Sequence, residues 1–305
     1  MNNHFIPNFS PLQFTSNYRK YNRMKLYRTL LLLICLAQLQ LFAQQTPPHW
    51  VQLFNGKDMT GWDIKITGYD LNVNYNNTVG VENGIMKINY DKYTHFTNQF
   101  GHIYYKTPYS YYKLVVEYRF VGKQAAGGPS WDVRNSGVMV HSQSAASVHK
   151  DQEFPVSLEC QLLGGLDQGE RTTANLCTPG TYVEMNDKVN MQHCLNSTSK
   201  TYNGDQWVTV EMIVLGDSLI QHLIDGKVVL EYRHPKIGET GDDIKRYLDA
   251  DYQKKIGTPL KEGYIALQAE SAPVQFRKVA LLNLEPYKND PAALSKALAI
   301  PYPKQ

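Results

Sequence analysis

The segment SLECQLL, Ser157–Leu163, places an acid and an amide where they could do chemistry together. Glu159 and Gln161 are two residues apart, so in a β-strand both side chains leave one face while the leucines and the cysteine leave the other. A carboxyl group on an otherwise apolar strand is poorly explained by core packing, because charged side chains are rarely buried without a partner. The pair therefore indicates a groove that holds a polar ligand; the alternative is a solvent-facing strand of an antiparallel sheet.

Further candidates for ligand binding lie elsewhere in the chain. Gln268 and Glu270 repeat the two-residue spacing in the segment ALQAES. Trp131, in the Gly-rich loop AGGPSWDVRN, offers a flat ring on which a sugar can stack. Arg134 of the same loop is a candidate for substrate binding, with an ion pair to Asp132 or hydrogen bonds that fix the loop as the alternative.

Two histidines sit in strand-like segments. His141 ends SGVMVHS, where it could be a neutral histidine held by one hydrogen bond at a sheet edge. His222 lies between Ile220 and Ile224 on its strand face. Its position indicates a structural or groove-lining role.

The chain is patterned for β-structure. Most of its apolar segments alternate with period two and are separated by turn residues, which predicts an all-β fold: a jelly-roll sandwich of two antiparallel sheets with short helices. Asp225-Gly226 and Asn83-Gly84 are predicted two-residue hairpin turns. Helical character is confined to 242–255 and 291–299.

The first residues predict an exported protein. Residues 24–43, MKLYRTLLLLICLAQLQLFA, have the basic start, apolar centre and small terminal residue of a signal peptide. The apolar run is too short to span a membrane. Residues 1–23 are read as an upstream extension that is not native, and 44–305 as one domain that is periplasmic or extracellular, with no transmembrane segment after signal removal.

Disulfide bonds form in the oxidising environment that an exported protein meets, and three cysteines follow the predicted signal peptide. Cys177 and Cys194 flank a long loop and are predicted to be bridged, whereas Cys160 is expected to be a small buried apolar residue. A metal site formed by the two loop cysteines and His193 lacks a completing ligand near Cys177. No cofactor is predicted; a divalent metal stays an open alternative that ligand spacing does not support.

The amino-acid composition limits the classes of ligand that the protein is expected to bind. The net charge is +3, and no basic run is interleaved with aromatic residues, which argues against nucleic acid. The 21 tyrosines, with only 19% charged residues, suit β-structure and surfaces that face carbohydrate. The sequence does not indicate an oligomeric state.

Five phrases occur in an order that resembles a known family. They are WVQLFNGKDMTGW (50–62), RNSGVMVHS (134–142), VSLECQLLGG (156–165), QWVTVEMIVLGDSLIQHLIDGKVV (206–229) and GYIALQAESAPVQFRKVALLNL (263–284). Together they resemble the 3-keto-disaccharide hydrolase family, and the resemblance spans essentially all of 44–305. It implies a concanavalin-like jelly roll and a secreted enzyme that acts on 3-keto sugars.

The resemblance also implies a mechanism. A ketone at C3 acidifies the C2 proton, so a base can remove it and the C1 oxygen can leave by elimination before water adds. Glu159 and Gln161 match the acid and amide of the family's E-x-Q strand. The resemblance makes His141 the candidate acid–base partner of Glu159. Two positions depart from the family: His141 stands where relatives more often carry Arg, and Gly164 where many carry Asp.

Two other functions fit the same fold. A non-catalytic, lectin-like module would bind carbohydrate without cleaving it. A conventional retaining glycosidase would need two carboxyl groups about 5–5.5 Å apart. The sequence supplies one convincing carboxylate on the E-x-Q strand, Glu159.

Overall fold

A computed structural model describes residues 47–238 and 248–303, together with Lys25, Tyr27 and Arg28. Within this part of the chain most elements are strands. In chain order they are β1 Trp50–Gln52, β2 Trp62–Ile66, β3 Val79–Glu82, β4 Ile85–Ile88, β5 Gly101–Tyr105, β6 Tyr111–Phe120, β7 Asn135–Ser142, β8 Leu158–Leu163, β9 Asn175–Cys177, β10 Thr181–Met185, β11 Lys188–Asn190, β12 Cys194–Leu195, β13 Val208–Leu215, β14 Leu219–Ile224, β15 Lys227–Ile237, β16 Tyr264–Ala269 and β17 Val274–Asn283.

The helices of this region are short. They are α1 Ala250–Gln253 and α2 Pro291–Leu298, with single 3-10 turns at Tyr75–Asn77, Ser130–Asp132, Ala145–Ser147 and Glu285–Tyr287. Each α-helix begins at an aspartate, Asp249 or Asp290, whose carboxylate accepts hydrogen bonds from the first free backbone amides. Much of the predicted helical segment 242–255 lies outside the described residues.

The described strands form two antiparallel sheets, as predicted. The ten-stranded sheet has the order β11-β10-β15-β14-β13-β6-β17-β4-β3, with β1 on β17. The seven-stranded sheet has the order β12-β9-β8-β7-β16-β5-β2. The expected two-sheet sandwich is therefore confirmed, and its sheets are built largely from strands that are distant in sequence.

The core lies between the two sheets because each strand buries alternate residues. In β13 buried and half-buried residues alternate along the whole strand. In β8 the core side consists of Leu158, Cys160 and Leu162, all fully buried. We call the opposite face of the seven-stranded sheet, which carries Glu159, its outer face.

The two predicted hairpin turns are present. Asp225 and Gly226 both have positive φ, +51° and +73°, and join β14 to β15. Asn83 and Gly84 do the same between β3 and β4, with φ of +53° and +78°. These conformations are the ones that tight two-residue hairpins require and that Asn, Asp and Gly tolerate.

The predicted disulfide is confirmed. Cys177 and Cys194 face one another in the β9–β12 pair, with Cα atoms 4.2 Å apart, and their sulfurs are bonded. Cys160 is a buried free thiol. The bridge ties the short edge strand β12 to β9, which is the neighbour of β8 in the seven-stranded sheet.

Residues 48–305 form one compact unit. The predicted upstream extension and signal peptide lie outside the described residues apart from Lys25, Tyr27 and Arg28, so both stay predictions. No helix in the described ranges is long and apolar enough to cross a membrane.

Candidate functional site

Strand register brings the E-x-Q pair into a row of side chains on the outer face. Glu159 lies opposite Met139 on β7 and opposite Cys177 on β9. Gln161 lies opposite Gly137 and Asn175, and Asn175 Nδ2 donates to Gln161 Oε1 at 3.2 Å. The pairing fixes both side chains on the same surface, as the two-residue spacing predicts.

Gly137 makes room for the Glu159 carboxyl group. A Cβ atom at Gly137 would lie 2.4 Å from Glu159 Oε1 and 2.7 Å from its Cγ. The glutamate side chain therefore leans across β7 into the space that the missing side chain leaves. A close approach of this kind is a common reason for glycine inside a strand.

Glu159 opens onto a cavity of about 280 Å³. One side of the cavity is aromatic and the disulfide lies on another. The lining residues are Trp131, Asn135, Phe154, Glu159, Gln161, Cys177, Pro179, His193, Cys194 and Glu270. The structure thus brings Glu159, Gln161, Glu270 and Trp131 together, four of the residues that the sequence nominated. Mixed apolar walls with a few polar groups are typical of small-molecule sites.

The aromatic side of the cavity is a stack of rings. Trp131 is 47% exposed, and its ring stacks on Phe100 with centroids 5.8 Å apart. Phe100 packs in turn against Phe154, at 4.9 Å. Trp131 is thus held from behind while one face stays available, the arrangement that a sugar-stacking platform requires.

Burial raises the pKa of two carboxyl groups in and beside the cavity. Glu159 is only 6% exposed, and burial raises its pKa to about 8, with the Asp132 charge adding to the effect. Burial also raises the pKa of Asp132 to about 7, partly offset by a hydrogen bond from Ser271. No lysine or arginine is among the described residues that line the cavity. Glu159 makes no side-chain hydrogen bond or ion pair within the described part of the chain.

Asp132 is a buried acid beside the cavity that the sequence did not nominate for the site. It follows Trp131 in a 3-10 turn and is fully buried. Ser271 Oγ donates to its Oδ2 at 3.0 Å, and Ser271 follows the cavity residue Glu270. The expected ion pair of Asp132 with Arg134 is absent from the described contacts, which corrects that interpretation.

Arg134 points elsewhere. Its Nη1 atom donates to Asp205 at 3.0 Å, and its Nη2 atom donates to the Gly204 carbonyl. A Cβ at Gly164 would lie 2.6 Å from Arg134 Nε, so the arginine occupies the space beside this glycine. Arg134 does not line the Glu159 cavity, and the glycine at 164 is what lets the arginine pack there.

Gln268 and His102 extend the polar row beneath the cavity. They face each other in the β16–β5 pair, and Gln268 is fully buried. Neither Gln268 amide atom, nor His102 Nε2, has a hydrogen-bond partner among the described residues. Burial lowers the pKa of His102 to about 3, so its ring is neutral. Buried polar atoms of this kind are normally met by water or a ligand.

The structure does not bring His141 to Glu159. By strict alternation it would share the outer face, but a β-bulge in the β7–β16 pair, with φ of +50° at His141, reverses its direction. Its Nε2–H donates to the Gly216 carbonyl at 2.9 Å, in a turn of the other sheet. His141 lines a different cavity of about 740 Å³, together with Gly216 and Asp217.

His222 belongs to the core. Its Nδ1–H donates to the Ala174 carbonyl at 3.0 Å, and its Nε2 accepts from the Tyr232 hydroxyl at 3.1 Å. Burial lowers the pKa of His222 to about 4, so it is neutral and satisfied. Of its two expected roles, the contacts match the structural one.

Metal ligation has no support in the described residues, where no three His, Cys, Asp or Glu side chains are grouped to hold an ion. The two loop cysteines that could have served as ligands are consumed by the disulfide. What the site offers chemically is a buried, proton-bearing carboxyl group, several amides and an aromatic platform.

The chain is similar, at 20% identity or less, to several solved structures. A protein from Parabacteroides distasonis described as a glycosyl hydrolase is 20% identical, over 77% of this chain and 93% of that one, with a TM-score of 0.45. LamA of Zobellia galactanivorans, solved with laminaritriose and laminaritetraose, is 10% identical over 78% and 99%, with a TM-score of 0.44. The carbohydrate-binding module CBM66 from Bacillus subtilis is 10% identical over 73% and 96%, with a TM-score of 0.40.

No curated protein matches the chain in sequence. Residues 49–282 match a family described as the 3-keto-alpha-glucoside-1,2-lyase-like domain. The match covers well over half of the chain and includes every strand that borders the Glu159 cavity. The chain therefore belongs to the 3-keto-alpha-glucoside-1,2-lyase-like family.

Proposed function

We propose that this protein cleaves the glycosidic bond of 3-keto glycosides by elimination, with Glu159 as the group that takes the C2 proton. The observation that carries the proposal is the Glu159 carboxyl group, which is buried, opens onto a cavity and has a pKa raised to about 8. A carboxylate with a raised pKa is a stronger base, and its ionisation still falls near physiological pH.

The proposed reaction uses one proton-transfer group and needs no reagent other than water. Glu159 removes the C2 proton, and the electron pair moves toward the C3 ketone. The C1–O bond then breaks, a C1–C2 double bond forms, and the leaving oxygen receives a proton, which the newly protonated Glu159 can return. Water adds across the double bond in a later step, so the net result is hydrolysis.

Binding would come from the other residues of the row. The amides of Gln161 and Gln268 and the carboxyl group of Glu270 can hydrogen-bond sugar oxygens, and the Trp131 ring can cover one face of a sugar. The Gln268 Nε2 amide group, which lacks a described partner, is a candidate to donate a hydrogen bond to the ketone oxygen as negative charge develops there. His141 has no role in the proposed reaction because its side chain faces the turn at Gly216.

The test compares a 3-keto glucoside with its 3-hydroxy parent carrying the same aglycone. We expect cleavage of the keto sugar alone, because only the ketone acidifies the C2 proton. Glu159→Gln should keep binding but lower turnover by about 10²–10⁴-fold. Glu170→Gln, at an exposed glutamate, is the matched control and should leave turnover unchanged.

The alternatives give different results in the same assay. A lectin-like module would cleave neither sugar, and Glu159→Gln would change affinity only. A conventional glycosidase would cleave both sugars at comparable rates. Either outcome would refute the elimination mechanism.

We also propose that the protein is exported. The disulfide between Cys177 and Cys194 supports an oxidising compartment, where such bonds persist. Fractionation of the producing cells, followed by N-terminal sequencing, tests this proposal. An exported chain should begin near Gln44, whereas recovery of an uncleaved chain from the cytoplasm would refute it.

A further inference from the structure

His141 is held away from Glu159 in a backbone conformation that few residues adopt. Its φ of +50° lies in the left-handed region, at the irregularity in the β7–β16 pair. Gly263 leaves room for this conformation, since a Cβ atom there would lie 2.6 Å from the Cα atom of His141. Backbone strain of this kind collects at functional sites, so it directs attention to what the His141 side chain does.

The two ring nitrogens of His141 differ. Because the Gly216 carbonyl can only accept, the Nε2 atom that contacts it at 2.9 Å carries the ring proton. His141 is 2% exposed, and burial lowers its pKa to about 4, so at neutral pH the ring is uncharged and Nδ1 keeps a lone pair. Nδ1 has no hydrogen-bond partner in the described part of the chain. A buried acceptor in this state calls for a donor from outside the chain.

The space beside His141 is the cavity of about 740 Å³. Clefts that bind small molecules typically enclose about 300–1,000 Å³. This cavity is distinct from the Glu159 cavity, since none of the described residues lines both. Its wall offers the aromatic rings of Tyr111 and Tyr252. It also offers neutral hydrogen-bonding side chains, those of Ser110, Ser142, Gln143 and Asn289.

The ionised side chains of this wall balance one another. They are three lysines and three acids: Lys255, Lys261, Lys288, Asp217, Glu262 and Glu285. Lys261 Nζ lies 3.6 Å from Asp217 Oδ2, and Lys288 donates to Glu285. Lys255 Nζ lies 4.4 Å from the centre of the Tyr252 ring. Because these charges are matched within the wall, the cavity favours a neutral ligand over an anion.

We propose that this cavity is a second, non-catalytic binding site for a neutral saccharide, in which His141 Nδ1 accepts a hydrogen bond from a sugar hydroxyl group. A sugar supplies what the wall calls for: hydroxyl donors for Nδ1 and C–H faces for the rings of Tyr111 and Tyr252. The inference does not depend on the proposed function, because the ligand needs no 3-keto group and no residue of the Glu159 cavity.

The test follows His141 Nδ1 itself. Protein labelled with 15N-histidine is titrated at neutral pH with maltotriose and with cellotriose, and glucose 6-phosphate serves as the anionic comparison. The signal of the unprotonated His141 nitrogen, assigned by its loss in His141→Phe, should move upfield with a neutral trisaccharide as Nδ1 accepts a hydrogen bond. His222 is the internal control, since its ring nitrogens already contact the Ala174 carbonyl and the Tyr232 hydroxyl. Calorimetry should show about fivefold weaker binding to His141→Phe, the loss expected for one hydrogen bond.

Three outcomes would overturn the proposal: no movement with either trisaccharide, which would leave water as the occupant; equal movement at His222; or movement with glucose 6-phosphate alone, which would indicate an anion site.

If His141→Phe does not fold, calorimetry with Tyr252→Ala and Tyr69→Ala replaces the NMR titration. Both tyrosines are half-buried, but only Tyr252 lines the cavity. Tyr252→Ala alone should weaken binding of the trisaccharide, by about tenfold, and equal affinities in the two variants would refute the inference. Because the trisaccharides carry no ketone and the readout is binding, inactivity on 3-keto sugars would refute the proposed function and leave this test intact.

Discussion

Gly137→Ala offers a sharp test of the site geometry, because it moves Glu159 without altering its chemistry. The new Cβ would lie 2.4 Å from Glu159 Oε1, whereas ordinary contacts begin near 3.4 Å. The carboxyl oxygen must therefore move by about 1 Å, a displacement that can reduce turnover by about 10²-fold. A loss of 10² corresponds to about 2.7 kcal/mol in the activation free energy.

The same substitution should leave the protein folded. The backbone of Gly137 is not in the left-handed region, so alanine can adopt its conformation. Overpacking costs about 1–3 kcal/mol, and alanine recovers about 0.4–1 kcal/mol by restricting the unfolded chain. The expected net change in unfolding free energy is therefore a loss of about 0–2.6 kcal/mol, measured by urea denaturation.

Gly80→Ala is the matched control for this experiment. Gly80 also lies in a strand, β3, and a Cβ there would meet nothing within 4 Å. It should keep wild-type turnover of the 3-keto glucoside, followed by release of a chromogenic aglycone. Wild-type turnover in a folded Gly137→Ala variant would refute the reasoning that the position of Glu159 controls catalysis.

Three further predictions concern binding, pH and the disulfide. Trp131→Ala should raise KM by about 10-fold with little change in kcat, since the ring contributes stacking, and Trp131→Phe should restore much of the loss; a change in kcat alone would contradict a stacking role. Because burial raises the Glu159 pKa to about 8, the folded state binds more protons than the unfolded state between pH ~4.5 and ~8, so unfolding free energy should fall with rising pH across that window. Glu159→Gln should flatten this slope in urea titrations, and an unchanged slope would contradict the pKa. Replacing Cys177 and Cys194 with serine should lower the unfolding free energy by about 3 kcal/mol, because the bridge closes a loop of sequence separation 17; an equal midpoint with and without the bridge would refute this.

The sequence predicted those features that depend on local pattern. Period-two alternation identified the strands of the sandwich because each strand buries one face. The Asp225-Gly226 and Asn83-Gly84 turns were readable because few residues accept positive φ. The pairing of Cys177 with Cys194 followed from export and from the loop between them.

The site was only partly predictable because its assembly depends on register and irregularities. His141 was expected to act with Glu159 because it ends a strand-like segment that resembles the family, and a single bulge reverses its direction. His102 enters the polar row only because β5 pairs with β16, a neighbour relation that the chain order does not reveal. An ion pair between Asp132 and Arg134 was expected because the two residues are close in sequence. In the structure Arg134 instead donates to Asp205, 71 residues away.

The most direct test of the account is the fate of the C2 hydrogen. In D2O, elimination followed by hydration places deuterium at C2 of the sugar product, whereas hydrolysis at C1 leaves the original hydrogen there. Cleavage of the 3-keto glucoside should give a product deuterated at C2, by NMR and mass spectrometry, faster than enzyme-free 3-keto glucose exchanges under the same conditions. Rapid cleavage with the C2 hydrogen retained would contradict proton abstraction by Glu159.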